Sequence, residues 1–400
     1  MAEKFIPVLR FVAVSDVHYQ DRHTPQRERM AKALQIAYRE AAAHPDYQSL
    51  DALCVVGDLA DNGTETQFAA FRQTLEEELH PGTQAILSVA SHEFGNAGVE
   101  AAYEKMRRIL RQEPDVHAVI NGFHFISITP SEGTSFNEGK QIWAAKQLQN
   151  AAADDPTGRR PIFFFQHPHI RDTVAGSLDW GNADLTAILM HYPQVVDFSG
   201  HSHVPVNDPR SIHQEYFTCL GTGTLYYFDL DEYDKYYGTT PPGAQNAAQM
   251  LLIEADAVGH VRVQPYNVLN DEPYPYLWKI DTFEPTQFPY TRKKRRAAAQ
   301  KPAFAPQAKI TYNKGTLEFD QAQSGDSDPV NDYILRVRNA KGRIVRQLSL
   351  WAAYYFAPMP PTLQLELEGL TPGAAYTVEI TARGFWENVG DPPLVGRFIA

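Results

Sequence analysis

The residues LRFVAVSDVH (9–18) decide how this chain is read. An apolar run, broken only by Arg10, stops at Ser15 and Asp16 and then presents His18. The same event recurs along the chain. DALCVVGD (51–58) ends in Gly57-Asp58, and QAILSVA (84–90) meets Ser91-His92-Glu93 in SVASHEFG (88–95). RPIFFFQH (160–167) ends in His167-Pro168, and QVVDFSGH (194–201) continues into Ser202-His203. Short apolar runs bounded by turn residues are the pattern of strands buried on both faces.

Helical patterns separate the early runs. Residues 25–44 open with Pro25 after Thr24, a sound helix start. Residues 65–79 follow Thr64, with Gln67 placed for a capping box. Residues 138–152 and 182–191 predict two more helices, the last starting at Asn182. FHFISIT (123–129) alternates and predicts the start of a second, partly antiparallel sheet. Strands alternating with helices make an α/β layered domain.

The whole chain has 400 residues, enough for two or three domains, with 43% hydrophobic and 21% charged residues. The net charge of −12 repels a polyanion, so a nucleic-acid polymer is not the expected partner. A small phosphate ester is compatible if a metal supplies positive charge locally. The two cysteines, Cys54 and Cys219, sit in apolar runs and read as buried thiols rather than a disulfide. No apolar stretch approaches the ~20 residues that span a membrane. No leader is visible at the N-terminus, which favours the cytoplasm.

After about residue 280 the character changes. TRKKRRAAAQKPAFAP (291–306) reads as a basic, solvated linker. Beyond it the periodicity is two throughout, with a hairpin expected at Asn339–Gly342, so residues 307–400 predict an all-β sandwich. Within it, LEGLTPGAAYTVEITA (367–382) resembles the fibronectin type III signature. That resemblance implies a core face at Tyr376, Val378 and Ile380, with Tyr376 tying its strand to the preceding turn. A module of this kind favours export or a cell surface and offers a surface for a partner, so localisation stays open between the two readings.

Loops at the carboxyl ends of such strands converge on one edge, where ligands bind. Here they would gather Asp16, His18, Asp58, Ser91, His92, His167, His201 and His203. Carboxylates and imidazoles packed together need a cation, and O and N donors of this kind suit Mn, Fe or Zn. His169, His23, His124, His213, His44 and His80 are not expected among the ligands.

The order Asp16-Val17-His18, Gly57-Asp58, Ser91-His92-Glu93, His167, and Gly200-His201-Ser202-His203 resembles the calcineurin-like metallophosphoesterase family across about residues 8–270. The resemblance implies a four-layer αββα sandwich over residues 1–290, and hydrolysis of a phosphomonoester or small phosphodiester. It implies that Asp16, His18 and His203 hold one metal, that His167 and His201 hold a second, and that Asp58 bridges them. The two ions, about 3.5–4 Å apart, would activate a bridging water. His92 would stabilise the transferring group or protonate the leaving oxygen. Where the family has Gly-Asn-His this chain has Ala90-Ser91-His92, so Ser91 takes the place of an Asn ligand and the second metal is expected to bind more weakly. Asp61 and Asn62 lie where they can orient ligands, and Asn62, Asn207 and Arg210 are candidates for substrate contact. The YYFDLDEYDKYYG stretch (226–238) suggests an aromatic lid. The wording of the last motif points further to a cyclic-nucleotide phosphodiesterase-like branch. The rival expectation is a weakly active or non-catalytic metal-binding scaffold or adhesion protein on the same fold.

Overall fold

The computed structural model describes residues 4–95, 97–325 and 328–400. Strand β1 (Pro7–Val14) is followed by helix α1 (Pro25–Ala43), strand β2 (Ala52–Val56), helix α2 (Glu65–Glu78) and strand β3 (Gln84–Ser88). β1, β2 and β3 pair in parallel, and the antiparallel strands Gln249–Asp256 and Val261–Asn267 extend the sheet beyond β1. Helix α2 starts as expected: the Thr64 side chain accepts from Gln67 N–H, and the Gln67 side chain returns to the Thr64 backbone.

A second sheet holds β4 (Val116–Ile120), β5 (Phe123–Ser127), β6 (Ile162–Phe165), Val195–Ser199, Thr218–Gly221 and Ile212–Gln214. β5 is antiparallel to β4 and parallel to β6, the mixed sheet its sequence suggested; β4 itself was not anticipated. The two sheets face each other through aromatic rings. Phe11 of β1 meets Phe125, Phe163, Phe165 and Phe198 of the other sheet at centroid distances of 4.8–6.1 Å. Helices α1 and α2 pack on the outer face of the first sheet, and the helix Glu138–Asp154 on that of the second. The result is four layers, αββα, with both sheets buried on both faces, which is why the strands read as continuous apolar runs.

Two sequence expectations change. The helix expected over 182–191 shrinks to Thr186–Leu189, because Gly181–Asn182 is recruited to pair with His169–Ile170. The basic stretch is not all open linker: Arg292–Ala298 is helical, capped by the Thr291 side chain accepting from Lys294 N–H.

The chain divides into two compact units. The first comprises 1–206, 211–231 and 243–290; the second comprises 207–210, 232–242 and 291–400. The second unit is all-β apart from the short basic helix. One sheet has three strands (Ile310–Asn313, Thr316–Asp320, Thr362–Glu366) and the other four (Val330–Asn339, Ile344–Trp351, Ala375–Gly384, Leu394–Ile399). Asn339 N–H donates to Arg343 O in the expected hairpin. Val378 and Ile380 are fully buried, and the Tyr376 hydroxyl accepts from Thr371 N–H at 2.9 Å. The early segment 232–242 joins this unit because Lys235 is fully buried in it. Its ammonium meets Asp332 Oδ2 at 2.6 Å, is paired with Glu232, and lies 4.8 Å over the Trp351 ring.

Candidate metal centre

The strand ends meet at one edge through backbone bonds between their loops. Val17 and His18 N–H both donate to Asp58 O, at 2.9 and 3.0 Å, and Gly200 N–H donates to His167 O at 3.0 Å. The chain must turn sharply at each of these points. Asp16, His18, Asp58, His201 and His203 all have left-handed φ, between 50° and 72°. That region costs of order 1 kcal/mol per non-glycine residue, and such strain gathers at functional sites. Glycine is required where backbones approach most closely. A Cβ on Gly57 would lie 2.5 Å from His167 Cγ, and one on Gly200 would lie 2.5 Å from Asp16 Oδ2.

Two donor clusters result. Asp16, His18 and His203 bring ligand atoms within 4.8 Å of one another, and so do Asp58, His167 and His201. A third grouping, His18, Asp58 and His92, joins them. Across the centre, His18 Nε2 and His203 Nε2 are 3.2 Å apart, and His203 Nε2 lies 3.3 Å from Asp16 Oδ1. His167 Nε2 lies 2.9 Å from Asp58 Oδ2 and 3.8 Å from Asp16 Oδ1.

Backbone carbonyls set which nitrogen points inward. His167 Nδ1 faces Val56 O at 2.7 Å, and His203 Nδ1 faces Tyr227 O at 2.9 Å. Each Nδ1 therefore carries the proton, and each Nε2 offers a lone pair to the centre. His167 Nε2 is buried without a hydrogen bond of acceptable geometry, which is the condition of a donor aimed at a cation. Burial alone would raise the Asp16 and Asp58 carboxyls, but His203 beside the first and His167 beside the second outweigh it, and both lie well below the usual range. Burial pushes the His167 ring down, and Asp58 and Asp16 reverse this and carry it up to about 10. Burial, then His167, lowers His201 to about 4. The carboxylates thus draw positive charge inward, and the O and N donor set fits divalent metal.

Ser91 opens a four-residue helix, Ser91–Phe94, directly after β3. His92 N–H donates to Asp58 Oδ1 at 3.2 Å, and His92 Nδ1 meets Asp61 O at 2.8 Å. His92 is exposed while Asp16, His18, Asp58, His167 and His203 are buried, so it stands on the open side. Glu93 is buried and accepts from Ala60 N–H at 2.6 Å and Ala90 N–H at 2.7 Å, pinning the loop after β2 to this turn. Asp61 Oδ1 lies 3.5 Å from His18 Nδ1, and Asn62 Nδ2 donates to Asp61 Oδ2 at 3.0 Å. Asn62 is therefore a support for Asp61.

Arg210 does not act as the expected clamp. It belongs to the second unit, where its guanidinium forks onto Asp208, with Nη2 to Oδ2 at 2.7 Å, and lies 5.1 Å over the Phe385 ring. The Asn207 amide in the same unit donates to Tyr354 O. The aromatic stretch divides as well. Tyr226 and Tyr227 pack tilted against His18 and His203, with ring centroids 5.0 and 4.4 Å apart, whereas 232–242 belongs to the second unit. Sequence reasoning missed Trp180, whose ring stands edge-on to His201 at 5.3 Å; an isolated Trp in a turn-rich stretch carries no signal in one sequence.

Residues 9–205 match the family model of calcineurin-like phosphoesterases. Among solved structures, the chain is similar to the purple acid phosphatase PPD1 from yellow lupin seeds, with 15% identity and a TM-score of 0.48. That match covers 68% of this chain and 53% of the lupin chain, so the chain aligns with about half the length of that enzyme. A fibronectin type III domain of human collagen XX is similar over 26% of this chain and 96% of its own, with 16% identity and a TM-score of 0.19. No curated protein matches the chain.

Proposed function

We propose that the first unit is a binuclear metallohydrolase of phosphoesters, acting on a phosphomonoester or small phosphodiester. The carrying observation is the pair of donor clusters, Asp16-His18-His203 and Asp58-His167-His201, at the joined strand ends. The family match over residues 9–205 supports the same reading. Asp16, His18, Asp58, His167, His201 and His203 would hold the metal, which when bound would supply Lewis acidity to the phosphate and lower the pKa of a coordinated water. The chain's own residues do the rest. Asp58 stands between the clusters, with Oδ2 at His167 and Oδ1 held by the His92 N–H, so its carboxylate is oriented to serve both. His92 donates its Nδ1–H to the Asp61 carbonyl, which directs Nε2 to the open side; as an imidazolium, the ring would pass its Nε2 proton to the leaving oxygen and become neutral.

Ser91 is the feature that favours a second reading, a metal-binding scaffold with little turnover, because its hydroxyl stands where an amide ligand is usual. Metal content, measured with turnover of p-nitrophenyl phosphate and bis-p-nitrophenyl phosphate in Mn, separates the two. Bound metal with turnover supports the enzyme; bound metal without turnover supports the scaffold; no metal at all removes both. Metal at a hundred times its Kd is expected to stabilise the fold by about 2.7 kcal/mol, read as a rise in Tm. The second unit, by its three-plus-four strands and the Tyr376 corner, is read as a fibronectin type III-like module.

A further inference from the structure

The metal centre is bordered by aromatic side chains that hydrolysis itself does not require. Trp180 is 37% exposed, large and apolar, yet it is not a loose surface residue. It ends the short helix Ser177–Trp180, and the structure fastens that helix to the turn that carries His201 and His203. Gly176, just before the helix, has a left-handed φ of 82°, and a Cβ there would lie 2.6 Å from Ser202 Oγ. Ser202 Oγ is in turn bonded to His169 Nε2 at 2.7 Å, and the other ring nitrogen of His169 meets Ser199 Oγ at 2.7 Å. Gly176 N–H donates to Asp231 Oδ2 at 3.1 Å, and Gly181, just after Trp180, pairs with His169. The indole is thus held from both ends beside the half-buried His201, with its edge turned to that ring at 89°. At the other cluster, half-buried Tyr226 lies over His18 and meets Tyr227 edge-on.

One aromatic wall stands beside a histidine of each donor cluster. The aromatic borders of the centre suit a flat, uncharged group. We infer that Trp180 is a specificity-determining residue, stacking against a nucleoside base carried by the substrate. The substrate class is then a phosphoester of a nucleoside. This rests on the phosphoesterase reading of the centre.

The test uses the full chain loaded with Mn and two diesters that share one leaving group: thymidine 5′-p-nitrophenyl phosphate and methyl p-nitrophenyl phosphate. Stacking of a base on an aromatic side chain contributes about 1–3 kcal/mol, so Trp180→Ala is expected to reduce the ratio of their kcat/KM values about tenfold or more. The loss should lie mainly in KM for the thymidine diester, and Trp180→Phe should restore most of the ratio. Thymidine 5′-phosphate should quench the tryptophan emission of the parent protein, and that quench should vanish in Trp180→Ala. A ratio unchanged by Trp180→Ala, with both diesters still turned over, overturns the inference and leaves the phosphoesterase standing. Turnover of neither diester by the parent protein, with metal bound, overturns the phosphoesterase and the inference with it.

Discussion

Two buried clusters of charge in this molecule are built on opposite terms. In the second unit Lys235 and Arg383 are met by Asp332, Glu232 and the exposed Asp234, so the cations are fully matched by carboxylates. Both Asp332 oxygens are engaged, Oδ1 by Arg383 Nε at 2.6 Å and Oδ2 by Lys235 at 2.6 Å. The metal centre also buries two carboxylates, but its partners are imidazoles aimed inward by Nε2, which can give up a proton and offer a lone pair to a cation. The first cluster is complete with protein atoms; the second leaves positive charge to be supplied. A buried charge is costly unless paired, so the balanced cluster belongs to architecture and the unbalanced one to chemistry.

The difference can be broken from either side. On the proposed bridging role of its side chain, Asp58→Asn should remove turnover by about 10³-fold or more while changing Tm little. Retention of more than a tenth of the activity would show that Asp58 does not bridge. Asp332→Ala should do the converse. It strands Lys235 and should lower the unfolding free energy by about 3–5 kcal/mol, measured by urea denaturation, with no recovery on adding metal. Recovery on adding Mn would erase the distinction between the clusters.

His169 sharpens the comparison, as a buried ring in the first unit satisfied by two serines. Burial, with His201 next, holds it down to about 3. The unfolded chain takes up this proton near pH 6.5 and the folded one near 3. The unfolded state therefore binds more protons in that window, and stability falls as pH drops from 6.5 towards 3. Between pH 6.5 and 5 the loss from this residue is about 2 kcal/mol. His169→Gln should flatten that part of the stability profile; an unchanged slope would mean the ring is protonated in the fold. The smallest effect is expected at Ser91. Ser91→Asn should tighten the weaker of the two metals about tenfold in a calorimetric titration. Identical titrations would place Ser91 outside the coordination sphere.

Much of the αββα unit was legible because strands buried on both faces leave long apolar runs, and each run ended in a donor. Val116–Ile120 was missed because only Ile120 is buried, Val119 is exposed and His117 interrupts the apolar signal. The helix expected over 182–191 failed because Gly181–Asn182 was drawn into a strand pair that only tertiary structure creates. At the centre, the donors were visible as residue types at strand ends. Their orientation was not, since the Val56 and Tyr227 carbonyls that set the tautomers have no side-chain signature. Arg210 looked available in sequence because Asp208, two places before it, is an unremarkable neighbour until the fold turns both together.

The left-handed backbone at Asp16, His18, Asp58, His201 and His203 also governs how such a centre can be lost. Asparagine tolerates that conformation well, whereas valine and isoleucine resist it. A single exchange to asparagine can therefore silence a donor while the loop keeps its shape. A β-branched replacement at the same position removes the donor and deforms the turn together. The route from catalyst to inert scaffold is open in one chemical direction, and a descendant that had taken it would carry asparagines at these five places.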